Sequence, residues 1–352
     1  MNDFSLSVVI PSYNSAPWLP STLAALAAAL LHTAWTVEII VVDDGSTDDS
    51  GTVLREIQAA YPFPLRIVAQ PNQGRFLARW AGTQAARYEN ILIVDSRVLV
   101  HERAFEHVAL GLRGDDAAKV WNGHMVTDRA APLVGLFWEV PTYAFWGDYL
   151  SHPRPTVITV ENLDRVPKGT TFLLLPKELF VRACLASWPE GNAHLVSDDT
   201  KLLRFMVTQM PIRLDPGFSA TYRPRTTIKQ FLSHSWVRGT LFVDSYAGTS
   251  ALRSLMLIAL VVLPPVTVAL AVVAIVTGIW SLFFVLIALA FASLLAPAFV
   301  GTLRRCPPRA TMSYLTFVLP FGVVFWAGLT RGLVIHRGAF LHTPHSEEKA
   351  RS

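Results

Sequence analysis

Two apolar runs, residues 254–276 and 279–300, stand almost back to back and contain no acidic or basic side chain. Each supplies about the 20 residues needed to cross the hydrocarbon layer of a bilayer. Two neighbours of this length are not expected as core helices of a water-soluble fold. The Thr277-Gly278 link is so short that the pair must fold back as a hairpin. Arg253 precedes the hairpin, and Arg304, Arg305 and Arg309 follow it. The positive-inside rule therefore puts both of its ends in the cytoplasm. A third apolar run, residues 312–335, is interrupted by Pro320 and Gly322 and is expected to cross as well. That crossing would carry Arg331, Arg337 and Lys349 outward, against the same rule. The hairpin contains no buried charge of the kind that marks a transport pathway, so a transporter subunit is discounted. Residues 336–352 form a polar tail.

The apolar excess is confined to this C-terminal part. Residues 1–250 read as a soluble domain, and the first strand is preceded by no secretory signal, so the domain is expected on the cytoplasmic side. The formal net charge is +4, with arginines beside the apolar runs, which suits anionic lipid headgroups. No basic run interleaved with aromatics is present, which argues against nucleic acid as a partner. Cys184 and Cys306 fall in different segments and offer neither a disulfide framework nor metal-ligand spacing. A reducing compartment fits them.

Within residues 1–115, short β-branched runs alternate with helical patterns. Strands are expected at 6–10, 37–42, 65–69 and 91–94, and helices at 17–31, up to about 60, and 75–86. Ser46 or Thr47 is the expected cap of the second helix. Such alternation predicts an α/β fold with a mostly parallel sheet covered on both faces. Ligands of these sheets bind beyond the carboxyl ends of the strands. Ser12-Tyr13-Asn14, Asp43-Asp44 and Asp95-Ser96-Arg97 all lie there. Residues 116–250 are less regular. A strand at 169–176 and a helix at 176–186 are expected, and the aromatics from Trp121 to Tyr149 suit sugar stacking, lipid contact or plain packing. No Gly-x-Gly-x-x-Gly follows the first strand, which excludes a dinucleotide-binding oxidoreductase.

Val8-Val9-Ile10-Pro11-Ser12-Tyr13-Asn14 followed by Val41-Val42-Asp43-Asp44-Gly45-Ser46-Thr47-Asp48 resembles the opening of family 2 glycosyltransferases. Asn72-Gln73-Gly74, Ala78-Arg79 and Gly82 resemble the family's next block. The resemblance runs over roughly residues 5–240. It implies a GT-A (Rossmann-like) fold over residues 1–250, split into a nucleotide-binding half, 1–115, and an acceptor half, 116–250. The transmembrane region, 254–335, follows. It also implies a nucleotide-diphosphate sugar as donor, UDP-linked ahead of GDP-linked. Pro11, Ser12, Tyr13 and Asn14 would lie under the nucleotide, Asp44 would approach the uracil or ribose with Asp43 nearby, and Asn72, Gly74 and Arg79 would complete that side. A carboxylate can accept hydrogen bonds from a base N–H or a ribose hydroxyl.

Asp95-Ser96-Arg97 stands where the family usually has Asp-x-Asp, the motif that holds a divalent metal on the diphosphate. Asp95 remains a ligand for Mg²⁺ or Mn²⁺, while Arg97 replaces the second acid. Arg97 could instead pair with the diphosphate, or satisfy Asp95 structurally. In Ser197-Asp198-Asp199-Thr200 the resemblance makes Asp199 the catalytic base of an inverting transfer, with Asp198 as its neighbour. The same residues fit a helix N-cap, with Ser197 or Asp198 as the cap. His234 and Arg238, four apart on one helix face, could close on the diphosphate or meet lipid headgroups. The expected activity is transfer of a sugar to a lipid-linked or envelope-glycan acceptor by a multi-pass protein of the cell membrane. The alternative is a non-catalytic nucleotide-sugar-binding scaffold on the same fold, which the Arg97 substitution motivates.

Overall fold

The computed structural model describes residues 4–113, 118–189, 191–197 and 199–340. In chain order the elements are β1 (Ser5–Ser12), α1 (Leu19–Leu31), β2 (Thr36–Asp44), α2 (Ser50–Ala60), β3 (Leu65–Gln70), α3 (Arg75–Ala85), β4 (Asn90–Val94), β5 (Val98–Val100), α4 (Ala104–Gly111) and β6 (Trp121–Thr127). There follow α5 (Glu139–Leu150), β7 (Thr156–Ile158), β8 (Phe172–Pro176), α6 (Lys177–Ala186), α7 (Thr200–Gln209) and β9 (Ile212–Tyr222). Four helices close the chain: α8 (Ile228–Tyr246), α9 (Ala251–Val276), α10 (Trp280–Leu303) and α11 (Pro308–Ile335). They sort into two compact units. One holds the described residues up to Ala130 together with His152–Pro224, and the other holds Ala131–Ser151 and the described residues from Arg225 on.

The first unit is an α/β fold on a mixed sheet of order β3-β2-β1-β4-β8-β6-β9-β5, with β7 beside β9. Its N-terminal strands β1 to β4 pair in parallel, as the alternating pattern predicts. Val8 to Ile10, Ile39 to Val42 and Ile91 to Val94 are fully buried, the composition of strands covered on both faces. The second half brings the antiparallel pairs. β8 runs against β4 and β6 against β8, while β5 and β7 run against β9. Trp121, Phe105, Phe172 and Phe218 extend the aliphatic core under these strands. Phe172 and Phe218 stack with centroids 4.1 Å apart.

In the second unit α9, α10 and α11 have 26, 24 and 28 residues and are each long and apolar enough to cross a membrane. Pro264 and Pro265 lie inside α9. A proline lacks the amide that would bond the carbonyl four residues earlier. For Pro265 that carbonyl is Val261 O, and it accepts a hydrogen bond of 2.9 Å from the Trp326 indole on α11. The indole thus takes the place of the donor that the proline removed.

Helices α8 and α11 meet backbone to backbone. A Cβ on Gly328 would collide with the Trp236 carbonyl, and one on Gly239 with the Phe325 carbonyl. Thr240 Oγ1 donates across the contact to Gly328 O at 3.1 Å. Close approach of this kind needs small residues. Gly328→Leu is expected to lower unfolding stability in detergent by about 2–3 kcal/mol. Gly322→Ala on the same helix, where a Cβ meets nothing within 4 Å, should be neutral or stabilising. Equal melting of the two variants would disprove the close contact.

Candidate active site

The parallel register aligns the carboxyl ends of β1, β2 and β4. Ser12 is paired beside Asp43, and Asp95 follows Val94, the last residue of β4. Ser15 Oγ and Ser96 Oγ lie 2.8 Å apart, joining the loops after β1 and β4. Asp43 and Asp95, two of the acids that the sequence singled out, therefore share one edge. The Ser12 hydroxyl is buried there without a hydrogen-bond partner among the described residues.

Asn14 adopts φ 48°, a left-handed conformation that asparagine tolerates. Its Oδ1 accepts from the Thr47 and Asp48 amides at 2.8 and 3.3 Å, and its own amide donates to Ser46 Oγ at 3.0 Å. Asn14 thus clamps the loop after β1 to the loop after β2. Ser46 and Thr47 are engaged in that clamp and do not cap α2, whose N-cap is Asp49. Tyr13 beside them is half exposed.

The two aspartates at the end of β2 differ sharply. Asp44 is buried, and its carboxylate accepts from Gln70 Nε2 at 2.6 Å, Gln73 N at 2.9 Å and Gly74 N at 2.8 Å. It fixes the loop that carries Asn72 and Gly74. Asp43 Oδ1 accepts from the Ser46 amide at 3.0 Å. Gly74, at φ 89°, opens α3, and a Cβ there would touch His194 Nδ1 at 3.0 Å. That contact brings the segment leading to Asp199 onto the loop fixed by Asp44. His194 escaped the sequence reading because a lone histidine gives no spacing to detect.

Arg79 and Asp95 form a buried ion pair. Nη2 lies 2.7 Å from Oδ1, and the side chains are 2% and 16% exposed. Arg79, expected on the donor side, holds Asp95 in place. The Arg97 guanidinium sits over the Trp18 ring, 4.8 Å from the centroid. Arg223 lies over the same ring at 5.0 Å and reaches the Trp18 carbonyl. A cation held over an indole face is partly neutralised by the ring quadrupole. Of the alternatives weighed for Arg97, the structural one, pairing with Asp95, is filled by Arg79.

Asp199 is the N-cap of α7. Its Oδ1 accepts from the Thr200 amide, from Thr200 Oγ1 at 3.0 Å and from Ser197 Oγ at 3.0 Å, leaving Oδ2 for other chemistry. The cap is thus Asp199 rather than Ser197, and Asp198 lies outside the described residues. Lys168, whose side chain is 4% exposed, sits 3.5 Å from Asp164 and within electrostatic reach of Asp199. Burial pushes its ammonium below the usual lysine range, against the pull of Asp164. The strand entered from Lys168 also accepts the Asp95 amide, at Thr171 O, 3.0 Å away. His234 and Arg238 belong to the second unit, where Arg238 lies 4.5 Å from the centroid of the Trp138 ring.

Among the described residues no three His, Cys, Asp or Glu side chains stand together as a metal cage. Asp95 alone, with Oδ1 engaged by Arg79, fits a hard cation that keeps its waters and takes phosphate oxygens.

Residues 7–129 match the Glycosyl transferase family 2 model. A glycosyltransferase of Streptococcus pneumoniae, GlyG, is 36% identical over 129 residues, covering 36% of this chain and 40% of that protein. An undecaprenyl-phosphate 4-deoxy-4-formamido-L-arabinose transferase of Pseudomonas savastanoi is 34% identical over 93 residues, 26% of this chain and 27% of that one. The chain thus spans well under half the length of these curated relatives. A mannosyltransferase from Pyrobaculum calidifontis, solved with GDP-Man and Mn²⁺, superposes with a TM-score of 0.52 at 14% identity, covering 93% of this chain and 86% of that chain. Its likeness gives the fold; the residues 7–129 that match the family model include Ser12, Asp43 and Asp95. The chain carries a family 2 glycosyltransferase domain on the GT-A fold, followed by helices long and apolar enough for a membrane.

Proposed function

We propose that the protein is an inverting glycosyltransferase that moves a sugar from a nucleotide-diphosphate donor to a lipid-linked or envelope-glycan acceptor at the cytoplasmic face of a membrane. The observation that carries this reading is the shared edge of Asp43 and Asp95, set against the motif match over residues 7–129. Asp43 Oδ2 is the group for the nucleoside, and Asp44 holds the loop around it. Asp95 would hold a divalent metal, whose chemistry is to neutralise charge on the departing diphosphate. Asp199 Oδ2 takes the proton of the acceptor hydroxyl as its oxygen attacks the anomeric carbon. The named activity of the undecaprenyl-phosphate relative and the apolar helices support a lipid-linked acceptor.

Calorimetry with UDP and GDP, with and without Mn²⁺, tests the donor side. UDP is expected to bind, and more tightly with Mn²⁺. Binding that ignores the metal would remove Asp95 from that role. No binding of either nucleotide would favour a scaffold protein that has kept the fold and lost the reaction.

A further inference from the structure

We propose that α11 does not cross the bilayer but lies in its headgroup layer, across the base of the α9–α10 hairpin, so that the chain crosses twice and residues 337–340 return to the side of residue 251. This rests on the reading that the hairpin spans a membrane.

The register of contacts carries the proposal. The N-terminal half of α11 packs on α10: Tyr314 clusters with Ala298, and its hydroxyl donates to Leu294 O at 2.9 Å. The C-terminal half packs on α9: Leu329 clusters with Leu257, and Trp326 bonds Val261 O. Measured from the hairpin turn at Gly278, these partners lie at one depth. Leu294 and Ala298 are about 16 and 20 residues after the turn, and Val261 and Leu257 about 17 and 21 before it. From Tyr314 to Trp326 the helix rises ~18 Å. Aligned with the hairpin as a third span, Trp326 would meet α9 that much nearer the turn, beside Val273. It meets Val261 instead, so α11 runs across both arms. At 1.5 Å per residue this depth is about 24–32 Å from the turn. That is the far boundary of a ~30 Å hydrocarbon layer.

Two further features agree. Helix α8, which bears Lys229, His234, Arg238 and Asp244, flanks α11 over most of its length. Phe231 meets Phe317, with centroids 6.0 Å apart, and Asp244 Oδ1 lies 3.3 Å from His336 Nδ1 at the other end. A helix so charged belongs in the interface, and α11 shares its layer. On α11 itself Met312, Leu315, Leu319 and Val323 are exposed at helical spacing, an apolar stripe for the acyl boundary. The arrangement also removes the conflict with the positive-inside rule, because Arg331 and Arg337 stay on the side of Arg304 and Arg305.

The test is cysteine labelling of the full chain in sealed membrane vesicles of both orientations, with a membrane-impermeant maleimide. The native thiols give little background: Cys184 and Cys306 are buried, and burial pushes both up to about 12. Ile279→Cys marks the hairpin turn and Leu252→Cys the start of α9, both at exposed positions. Gly338→Cys, in open space, and Arg337→Cys mark the end of α11. The expected result is labelling of the two end-of-helix variants from the face that labels Leu252→Cys, opposite to Ile279→Cys. Labelling of both from the face of Ile279→Cys would establish a third span and overturn the proposal. Labelling of Ile279→Cys from both faces, or release of the protein by an alkaline wash, would overturn the membrane reading and this inference with it.

Discussion

Asp199→Asn is expected to lower sugar transfer by about 10²–10⁴-fold while the protein keeps its fold and its affinity for donor. The geometry makes this substitution unusually clean. Oδ1 of Asp199 caps α7 and holds Ser197 and Thr200. An asparagine carbonyl accepts the same bonds, and asparagine ranks with aspartate as an N-cap. Stability should therefore change by less than about 0.5 kcal/mol. What asparagine cannot do is receive a proton from an acceptor hydroxyl. Turnover of radiolabelled sugar, read beside the melting temperature and donor calorimetry, separates the two roles. Near-normal turnover would leave Asp199 as a cap alone. Asp199→Ala, which removes both, should add a loss of about 1 kcal/mol in stability.

The second large effect is structural first. Asp95→Asn removes the carboxylate that lies 2.7 Å from the buried Arg79 guanidinium, and breaking such a pair costs about 3–5 kcal/mol. The amide still accepts a hydrogen bond, which favours the lower end of that range. Arg79→Met combined with Asp95→Asn should recover most of the loss, because an apolar pair of similar volume is tolerated in such a site. If Asp95 also holds a metal, the double variant will be stable yet show no strengthening of nucleotide binding by Mn²⁺. A single Asp95→Asn variant that unfolds at the parent midpoint would mean that the pair contributes nothing.

The strands β1, β2 and β4 were legible because each is a short run of Val, Ile and Leu buried on both faces and closed by a polar residue, and β3 because Ile67-Val68 follows the same pattern although the strand is only half-buried. β6 and β9 were not. Their runs Trp121-Asn122-Gly123-His124 and Asp215-Pro216-Gly217 carry turn chemistry inside a strand. The register slips between Gly123 and His124, where residues 216–218 of β9 stand unpaired. A bulge admits the proline that a regular ladder would reject. The candidate site was legible as a set of acids and opaque as a set of partners. Asp43 and Asp44 are adjacent in sequence, yet only the fold shows that Asp44 is enclosed by Gln70 and Gly74 while Asp43 Oδ1 takes the Ser46 amide. The sequence likewise could not decide what satisfies Asp95, since Arg79 is 16 positions away and Arg97 only two. Trp18, which takes Arg97 out of that contest, lies in a stretch with no motif.

The bond from Trp326 to Val261 has a bearing on how the protein is made. When α9 leaves the ribosome, Pro265 has already denied Val261 O its helical donor, and the indole that will serve it is 65 residues further along the chain. During that interval the carbonyl has neither its helical donor nor the indole. The settled position of α9 must wait until α11 has been synthesised and laid against it. Assembly of the hairpin is therefore completed from the carboxyl end, and a chain cut short before Trp326 would leave the Val261 carbonyl without either donor.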